Sequence, residues 1–572
     1  MLPSLHPAAR DRGAFSSTGR RRLFFAAAVF LLTLGAWLRV YHLGVRSLWF
    51  DEAVTANISR GTFAEVLQQT RAIGSAPVVH PYILYLVERV SHGPVAVRAP
   101  SVLASFLAIL LTLAMVRVQV RPSAALLSAA ILAISTSQIR YAQEVREYSL
   151  SILLASALIF CLLRWENGTF QKGHPALLYV ALFLAPLVQY GLVLLGCGLL
   201  ITIILRIWLS PDTRFRVAHF LTASIVLGAG VLVSFFLTLR YQFEPGRGQE
   251  YLTGHYFDLG IQSRMLHFIA TNSLDLIDYV SPGRVITILL AVAGLLYCVA
   301  QLLARKFEPL TLLVFTAFAI TIAASLIKIY PYGGVRQCLF LTPLLTLFAG
   351  VILAELLQWL DQIPPQFAAA LCILVLLFAG YRAMRAPWAD GPLKTIQTAP
   401  TYLALLLAPC VAIALVGAWR RFRGFRRHIA ALGLVTLILL SGYRSLRGQW
   451  PYKEFEDIRG VLQELSSARE HGDSVYVYHG ATPAVRFYLN GKDQGFFYGE
   501  FHADGPQEYV RELRGWIQRR SDRTWLVFSH LQSRRNLSEE RLLLACLQPS
   551  WSVERIATAE QAELYFARRQ RF

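Results

Sequence analysis

Apolar runs close to the length of a bilayer-crossing helix recur through most of this chain of 572 residues. The first run, at 23–40, reads LFFAAAVFLLTLGAWLRV, and a helix needs about 20 mainly apolar residues to cross a membrane. The composition agrees, because 55% of the residues are hydrophobic and only 16% are charged. The sequence therefore predicts a polytopic α-helical membrane protein.

Arginines beside the apolar runs predict how the spans are oriented. Arg20, Arg21 and Arg22 come just before the first run, and cytoplasmic segments of membrane proteins are enriched in positive charge. Residues 1–22 are therefore predicted to form a cytoplasmic tail. A cleaved signal peptide is the competing interpretation, but no small-residue cleavage site follows the run and many further apolar runs do.

A second arginine group, at 420–427, is also assigned to the cytoplasm. Each span moves the chain to the other side of the membrane, and following the sides from that point predicts about 13 spans in a transmembrane core at 23–446. Eleven of these are single runs at 23–40, 98–116, 124–139, 148–163, 218–238, 285–303, 309–329, 337–358, 366–383, 400–419 and 429–446; the other two form a hairpin within 176–208 that turns near Tyr190-Gly191. The same rule accounts for the net charge of +20, so nucleic acid is not an expected partner.

The segment HPYILYLVERVSH at 80–92 is predicted not to cross the membrane. It is short, it carries Glu88 and Arg89 near its middle, and a crossing there would place Arg117 and Arg121 outside. We expect a helix lying in the outer interface, within a large first outside loop at 41–97.

The last part of the chain, 447–572, differs in kind and is predicted to be an extracytoplasmic α/β domain. Short apolar or alternating runs predict strands, and helix-like stretches separate them. These runs are DSVYVYH at 473–479, RTWLVFSH at 523–530 and AELYFAR at 562–568, and helical spacing of apolar residues precedes them at 453–469. Only Cys546 lies in this domain, so it cannot form a disulfide within it, and no CxxC pair indicates a metal site.

The predicted topology gathers unusual polar residues on the outer face. Asp51 and Glu52 emerge just after the first span. The other candidates on that face are His80, Tyr141, Glu144, Arg146, Glu147, Arg240, His255 and Arg336. A carboxylate can take a proton from a hydroxyl or amine while guanidinium groups hold a phosphate leaving group, so the set fits transfer from a lipid phosphate. The sequence contains neither a GxxxxGK[ST] loop nor a GxGxxG turn.

Five blocks carry a resemblance to a known family. They read SLWFDEA at 47–53, HPYILYLVERV at 80–90, VRAPSVLASFLAILLTLAMVR at 97–117, YAQEVREYSL at 141–150 and YPYGGVRQCLFLTP at 330–343. In this order they resemble GT-C class membrane glycosyltransferases, and among these the bacterial relatives of protein O-mannosyltransferases and of the lipid A aminoarabinose transferase. The tail is also similar to the extracytoplasmic domain of bacterial members.

The resemblance implies a polyprenyl-phosphate-linked sugar as donor and inversion of the anomeric centre in one displacement. It places the general base on Asp51, with Glu52 beside it, and donor-phosphate contacts on Arg336, with His80 or Arg146. Many relatives have two prolines after the histidine, whereas Pro81 is here followed by Tyr82. The expected donor is a membrane lipid, and the acceptor is a protein, lipid or glycan; a divalent ion is left open.

Each site residue also has a structural interpretation. Asp51 and Glu52 can cap an amphipathic helix near 52–70, and Arg336 can be an interfacial arginine. Glu144, Arg146 and Glu147 can form a solvated patch at the interface. Two other functions remain open. A transporter or flippase of lipid-linked saccharides would carry its polar groups at mid-membrane, and an oligosaccharide transferase would move a preassembled glycan.

Overall fold

A computed structural model describes most of the chain. The described residues are 18–72, 77–118, 120–166, 175–209, 216–242, 252–258, 265–281, 284–304, 308–362, 456–501, 506–517, 522–531, 533–534, 537–548 and 550–570. The predicted spans 366–383, 400–419 and 429–446 and the arginine group at 420–427 lie outside these residues, as does Arg20's side chain.

The first part of the chain is α-helical. Its helices are α1 Thr18–Val40, α2 Phe50–Ile58, α3 Phe63–Ala72, α4 Val79–Glu88, α5 Pro94–Ala114, α6 Pro122–Ile134, α7 Thr136–Ala142, α8 Tyr148–Glu166, α9 Ala176–Val188, α10 Gly191–Leu209, α11 Val217–Ser234, α12 Met265–Val280, α13 Arg284–Leu303, α14 Pro309–Leu326 and α15 Thr342–Gln362. A π-helical turn at Phe235–Leu239 extends α11, and 3-10 turns at Met115–Val118 and Arg336–Leu341 flank α5 and α15.

Within the described residues, seven helices are long and apolar enough to cross a membrane, or eight if one bent pair is a single span. The seven are α1, α5, α8, α10, α11, α14 and α15, with the flanking turns. The chain is therefore an integral membrane protein. The total of about 13 spans stays a prediction.

The predicted span 124–139 is not one straight helix. The backbone is extended at Ser135, and α6 and α7 meet there at an angle of 61°. Arg39 of α1 is fully buried at this break, where its guanidinium donates to the carbonyls of Leu132 and Ala133 at 3.0 Å. A break leaves the last carbonyls of a helix without partners, and this arginine satisfies two of them.

Two local predictions agree with the structure. The run at 176–208 divides into α9 and α10 at Gln189 and Tyr190, as the hairpin prediction requires. The segment 80–92, predicted not to cross, contains most of α4, whose 10 residues are too few to span a bilayer. Its position in the outer interface stays a prediction. The helix expected near 52–70 is instead two helices, α2 and α3, separated by a turn at 59–62.

The C-terminal part folds into an α/β domain, as predicted. Its helices are α16 Ile458–Ala468, α17 Thr482–Leu489, α18 Pro506–Ile517 and α19 Glu539–Leu547, and its main sheet contains β1 Ser474–Val477, β2 Phe496–Tyr498, β3 Arg523–Ser529, β6 Trp551–Ala559 and β7 Ala562–Arg569. Two-residue strands β4 Ser533–Arg534 and β5 Leu537–Ser538 pair separately. The strand order is β2-β1-β3-β7-β6, with β1 parallel to both β2 and β3. The three strands predicted from sequence are β1, β3 and β7, while β2 and β6 were missed.

Apolar residues on the two faces of this sheet belong to separate cores. On one face α18 and α19 pack against Tyr476 and Phe528. On the other, α16 and α17 pack against Val475 and Val527, and the same core takes in Leu48, Ala53 and Ala56 from the region of α2. The C-terminal domain and the first loop therefore share one hydrophobic core.

Candidate active site

Asp51 lies between two guanidinium groups. It is the second residue of α2, and its Oδ2 accepts a hydrogen bond of 2.9 Å from Nη1 of Arg336. Nη1 of Arg146 lies 3.8 Å from the same oxygen. Asp51 and Arg336 keep 23% and 34% of their side-chain surface exposed, so both can be reached by a ligand. The three residues come from three of the five sequence blocks and meet at one point.

Arg146 is buried, whereas Arg336 is partly exposed. Its Nε lies 3.5 Å from Oε2 of Glu147, and its guanidinium lies 5.7 Å from the ring centre of Tyr148. Burial lowers the pKa of Arg146, but Glu147, Tyr148 and Asp51 raise it by more, so its net pKa is raised. The group is therefore a permanent positive charge beside Asp51.

The loop that delivers Arg336 is tightly packed. Gly333 has φ +136°, and a Cβ there would lie 2.4 Å from Oδ1 of Asn272, so only glycine fits. Tyr332 is buried, its hydroxyl bonds to Ser273 at 2.7 Å, and its amide donates to the carbonyl of His255 at 2.8 Å. His255, a candidate from the sequence, thus holds this loop through its backbone carbonyl.

Glu52 faces away from Asp51 into the protein. Arg98 donates to both of its oxygens, Nε to Oε1 at 2.9 Å and Nη2 to Oε2 at 2.7 Å, and the amide of Val145 donates to Oε1. Burial raises the pKa of Glu52, but Arg98, Arg46 and the Val145 amide outweigh it, and the net pKa is lowered. Glu52 is therefore a buried, ionised anchor that accepts three hydrogen bonds.

Other N–H groups of the Arg98 guanidinium donate to backbone carbonyls. Nη1 donates to the carbonyls of Leu43 and Arg46, and Nη2 donates to that of Ser47. One arginine at the start of α5 therefore ties the chain after α1 to α2 and, through Glu52, to the loop before α8.

His80 is buried near the start of α4. Neither ring nitrogen has a hydrogen-bond partner among the described residues. Burial, and then the charge of Arg146, lowers its pKa to about 3, so the imidazole is neutral near pH 7. A neutral imidazole with unused nitrogens beside a buried arginine can bind a ligand that enters the site.

The other candidates make contacts of their own. The hydroxyl of Tyr141 bonds to that of Tyr279 at 2.6 Å. Glu144 is buried with Oε1 on Nε of Arg140 at 3.1 Å, and burial raises its pKa. Arg240 is exposed, and its guanidinium lies over the rings of Phe236 and Tyr241.

An apolar cavity of about 180 Å³ lies between helices of the first part of the chain. Five helices line it, at Ile131, Ile277 and Val280, Ala291 and Gly294, Phe318, and Leu345 to Ile352. Tyr279 of the same helical turn as Ile277 and Val280 reaches Tyr141, whose ring centre is 5.1 Å from that of Tyr148. A row of tyrosines thus leads from Arg146 towards an apolar space.

Known structures match this arrangement of elements. Two crystal structures of ArnT from Cupriavidus metallidurans align with 96% of this chain and 98% of their own. The apo structure gives a TM-score of 0.54 at 16% identity, and the structure bound to undecaprenyl phosphate gives 0.52 at 15%. The chain has the ArnT fold. This confirms the GT-C fold that the five blocks predicted.

Another solved structure resembles this chain more loosely. The archaeal oligosaccharyltransferase AglB from Archaeoglobus fulgidus, in complex with an inhibitory peptide and a dolichol-phosphate, aligns with a TM-score of 0.46 and 12% identity. That alignment covers 89% of this chain and 70% of AglB. No protein-family model matches the chain, and no curated protein matches its sequence.

Sequence reasoning overlooked several residues that form the site. Arg98 was part of a quoted block, and a charge in an otherwise apolar helix was the available signal for its role. Tyr148 lies in the block at 141–150, but it was not among the predicted site residues. Glu456 and His530 carried no signal, because their contacts with Phe50 join segments more than 400 residues apart.

Proposed function

We propose that this protein is a membrane glycosyltransferase that takes a monosaccharide from a polyprenyl-phosphate donor and that Asp51 is its general base. The observation that carries the proposal is the accessible carboxylate of Asp51 placed 2.9 Å from Arg336 and 3.8 Å from Arg146. A lipid bound to a protein of the same fold supports the proposal, because one of the ArnT structures contains undecaprenyl phosphate.

The charges of the site fit one displacement step. Arg336 donates a hydrogen bond to Asp51. A donor phosphate binds guanidinium groups strongly, so it would draw Arg336 and Arg146 towards itself and free the carboxylate of Asp51. The acceptor hydroxyl or amine would then attack the anomeric carbon while Asp51 takes its proton. The sugar–oxygen bond breaks, its electron pair stays on the phosphate, and the anomeric centre inverts.

Glu52 takes a positioning role in this mechanism. Glu52 is fully buried and bonded to Arg98 and Val145, so an acceptor does not reach its oxygens. His80 is neutral at neutral pH and suits hydrogen bonding to the donor rather than charge neutralisation. The apolar cavity beyond Tyr279 is the place for the first part of the polyprenyl chain.

The proposed site requires one particular topology. Reporter fusions or accessibility of introduced cysteines at residue 90, residue 334 and the carboxyl terminus should place all three on the extracytoplasmic face. Residue 10 should report from the cytoplasm, because the basic tail precedes α1. A cytoplasmic signal at residue 334 would separate Arg336 from the extracytoplasmic site proposed here.

Arg336→Ala is expected to lower kcat/KM for the donor by about 10- to 100-fold. Hydrogen bonds to charged groups are worth about 1.5–3 kcal/mol, and the charge on the departing phosphate grows as the bond breaks. Arg336→Lys should recover part of the activity, since it keeps the charge but loses the paired donors. Donor titrations in lipid vesicles measure this.

The matched control is Arg486→Ala, which removes a guanidinium that lies over the ring of Tyr498 in the C-terminal domain. It should leave the donor titration unchanged. If Arg336→Ala also gives the wild-type curve, Arg336 does not contact the donor phosphate.

The proposed function is tested in cells by comparing pools of lipid-linked sugars with and without the protein. Loss of the transferase should cause a polyprenyl-phosphate-linked monosaccharide to accumulate. Accumulation of a lipid-linked oligosaccharide instead would favour an oligosaccharide transferase. If the pools of lipid-linked monosaccharide and of lipid-linked oligosaccharide are both unchanged, the donor is not a polyprenyl-phosphate-linked sugar.

A further inference from the structure

The helix that carries Asp51 begins without a cap from its own sequence. Phe50 is the first residue of α2, and Trp49 occupies the N-cap position. An indole ring has a donor but no acceptor, so Trp49 cannot bind the amides at the start of the helix. Such amides have no partner within a helix and need an acceptor from elsewhere.

That acceptor comes from the C-terminal domain. Oε2 of Glu456 accepts a hydrogen bond of 3.0 Å from the amide of Phe50, which is 406 positions away along the chain. A carboxylate at this end of a helix also interacts favourably with the helix dipole. Glu456 therefore caps α2 although it lies outside the membrane core.

Glu456 is itself held in place. It is 2% exposed, and its second oxygen lies 2.6 Å from Nδ1 of His530. The His530 ring in turn stacks on the ring of Phe50, with centroids 4.4 Å apart and planes 12° from parallel. Two residues of the C-terminal domain thus contact Phe50: Glu456 bonds to its amide and His530 stacks on its ring.

The contacts with Phe50 lie at the carboxyl ends of the parallel strands of the sheet. β1 has parallel neighbours on both sides, and the connecting helices α17 and α18 pack on opposite faces. The chain thus runs from β1 outward to β2 and then returns past β1 to β3. In open α/β sheets such a reversal of strand order creates a crevice at the carboxyl ends of the strands, where ligands bind. His530 directly follows β3 at this edge. The first turn of α2 therefore lies where an α/β domain ordinarily binds a ligand.

Contacts before α2 and near its end fix the docking independently of the cap. Nδ2 of Asn57, near the end of α2, donates to the carbonyl of Pro483 at 2.7 Å. The amide of Leu48 donates to the hydroxyl of Tyr488 at 2.8 Å. Together with the shared hydrophobic core, these contacts hold the two parts of the chain together.

We infer that the C-terminal domain positions the general base: Glu456, oriented by His530, holds the first turn of α2 so that the Asp51 carboxylate faces Arg336 and Arg146. The inference rests on the proposed role of Asp51. Asp51 directly follows the capped residue, so fraying of the first turn would move its carboxylate. A displacement of about 1 Å from a productive geometry can cost roughly 10²-fold in rate.

The test uses the full-length protein in lipid vesicles and two measurements. Hydrogen exchange of the amides at 50–53 reports the cap without requiring turnover. Transfer kinetics at varied donor concentration report positioning. Glu456→Ala should speed exchange of the Phe50 amide by about fivefold or more, and it should lower kcat by about 10- to 100-fold with little change in donor KM. Glu456→Gln keeps an acceptor oxygen and should restore much of both.

Two controls separate positioning from docking. Asn57→Ala weakens the docking at the other end of α2 and should leave Phe50 exchange and kcat close to wild type. Glu464→Ala removes an exposed carboxylate of α16 and should change neither. Unchanged Phe50 exchange in Glu456→Ala, or faster exchange with an unchanged kcat, would overturn the inference. Equal losses in Glu456→Ala and Asn57→Ala would also overturn it, in favour of general docking. A fully active Asp51→Asn protein would instead refute the proposed function.

Discussion

Asp51→Asn is expected to lower the rate of sugar transfer by about 10²- to 10⁴-fold, the usual worth of a positioned general base. The change is nearly isosteric and keeps an acceptor oxygen for Arg336, so the local geometry should survive it. What is lost is the ability to take a proton. Initial rates of purified protein in lipid vesicles, at saturating donor, measure the effect.

A matched control is Asp522→Asn, which neutralises a half-exposed carboxylate paired with Arg569 in the C-terminal domain. It should transfer at the wild-type rate. If Asp51→Asn does so as well, Asp51 is only a first-turn acid that suits the helix dipole, and the base must be sought at another carboxylate such as Glu144.

Arg98→Met is expected to destabilise the protein by about 3–5 kcal/mol, the usual cost of removing one partner from a buried ion pair. It would leave the carboxylate of Glu52 buried without its bidentate partner and would free three backbone carbonyls that Arg98 now satisfies. Thermal unfolding in detergent measures the loss. The double variant Arg98→Met with Glu52→Met should regain part of it, because no unpaired charge remains.

Arg121→Met is the comparison for this prediction. Arg121 pairs with Glu355, and both side chains are partly exposed, so the loss should be below about 1 kcal/mol. An Arg98→Met protein that unfolds at the same temperature as Arg121→Met would show that the Glu52–Arg98 pair does not anchor α2.

The fold was largely predictable from the sequence because it follows from patterns of short range. Apolar runs predicted the long helices, and alternating runs predicted β1, β3 and β7. The break at Ser135 was missed, since the buried arginine that satisfies the freed carbonyls comes from α1. Strand β2 has only three residues, too few to display a pattern.

The site was predictable only in part. Block order brought Asp51, Arg146 and Arg336 together as candidates, and the structure places them in contact. The resemblance assigned the base to Asp51, but it could not show that Glu52 is held by Arg98, because adjacent helical residues point in different directions and only packing decides which one is buried. Contacts across 406 positions, such as that of Glu456 with Phe50, are set by tertiary structure alone.

One measurement tests the central claim most directly. Purified wild-type and Asp51→Asn proteins are placed in vesicles with a labelled undecaprenyl-phosphate-linked monosaccharide, and label transferred to acceptor is followed together with the anomeric configuration of the product. We expect transfer with inversion by the wild type and a loss of about 10²-fold or more in Asp51→Asn at unchanged donor binding. Retention of configuration, or equal rates for the two proteins, would contradict a single displacement assisted by Asp51.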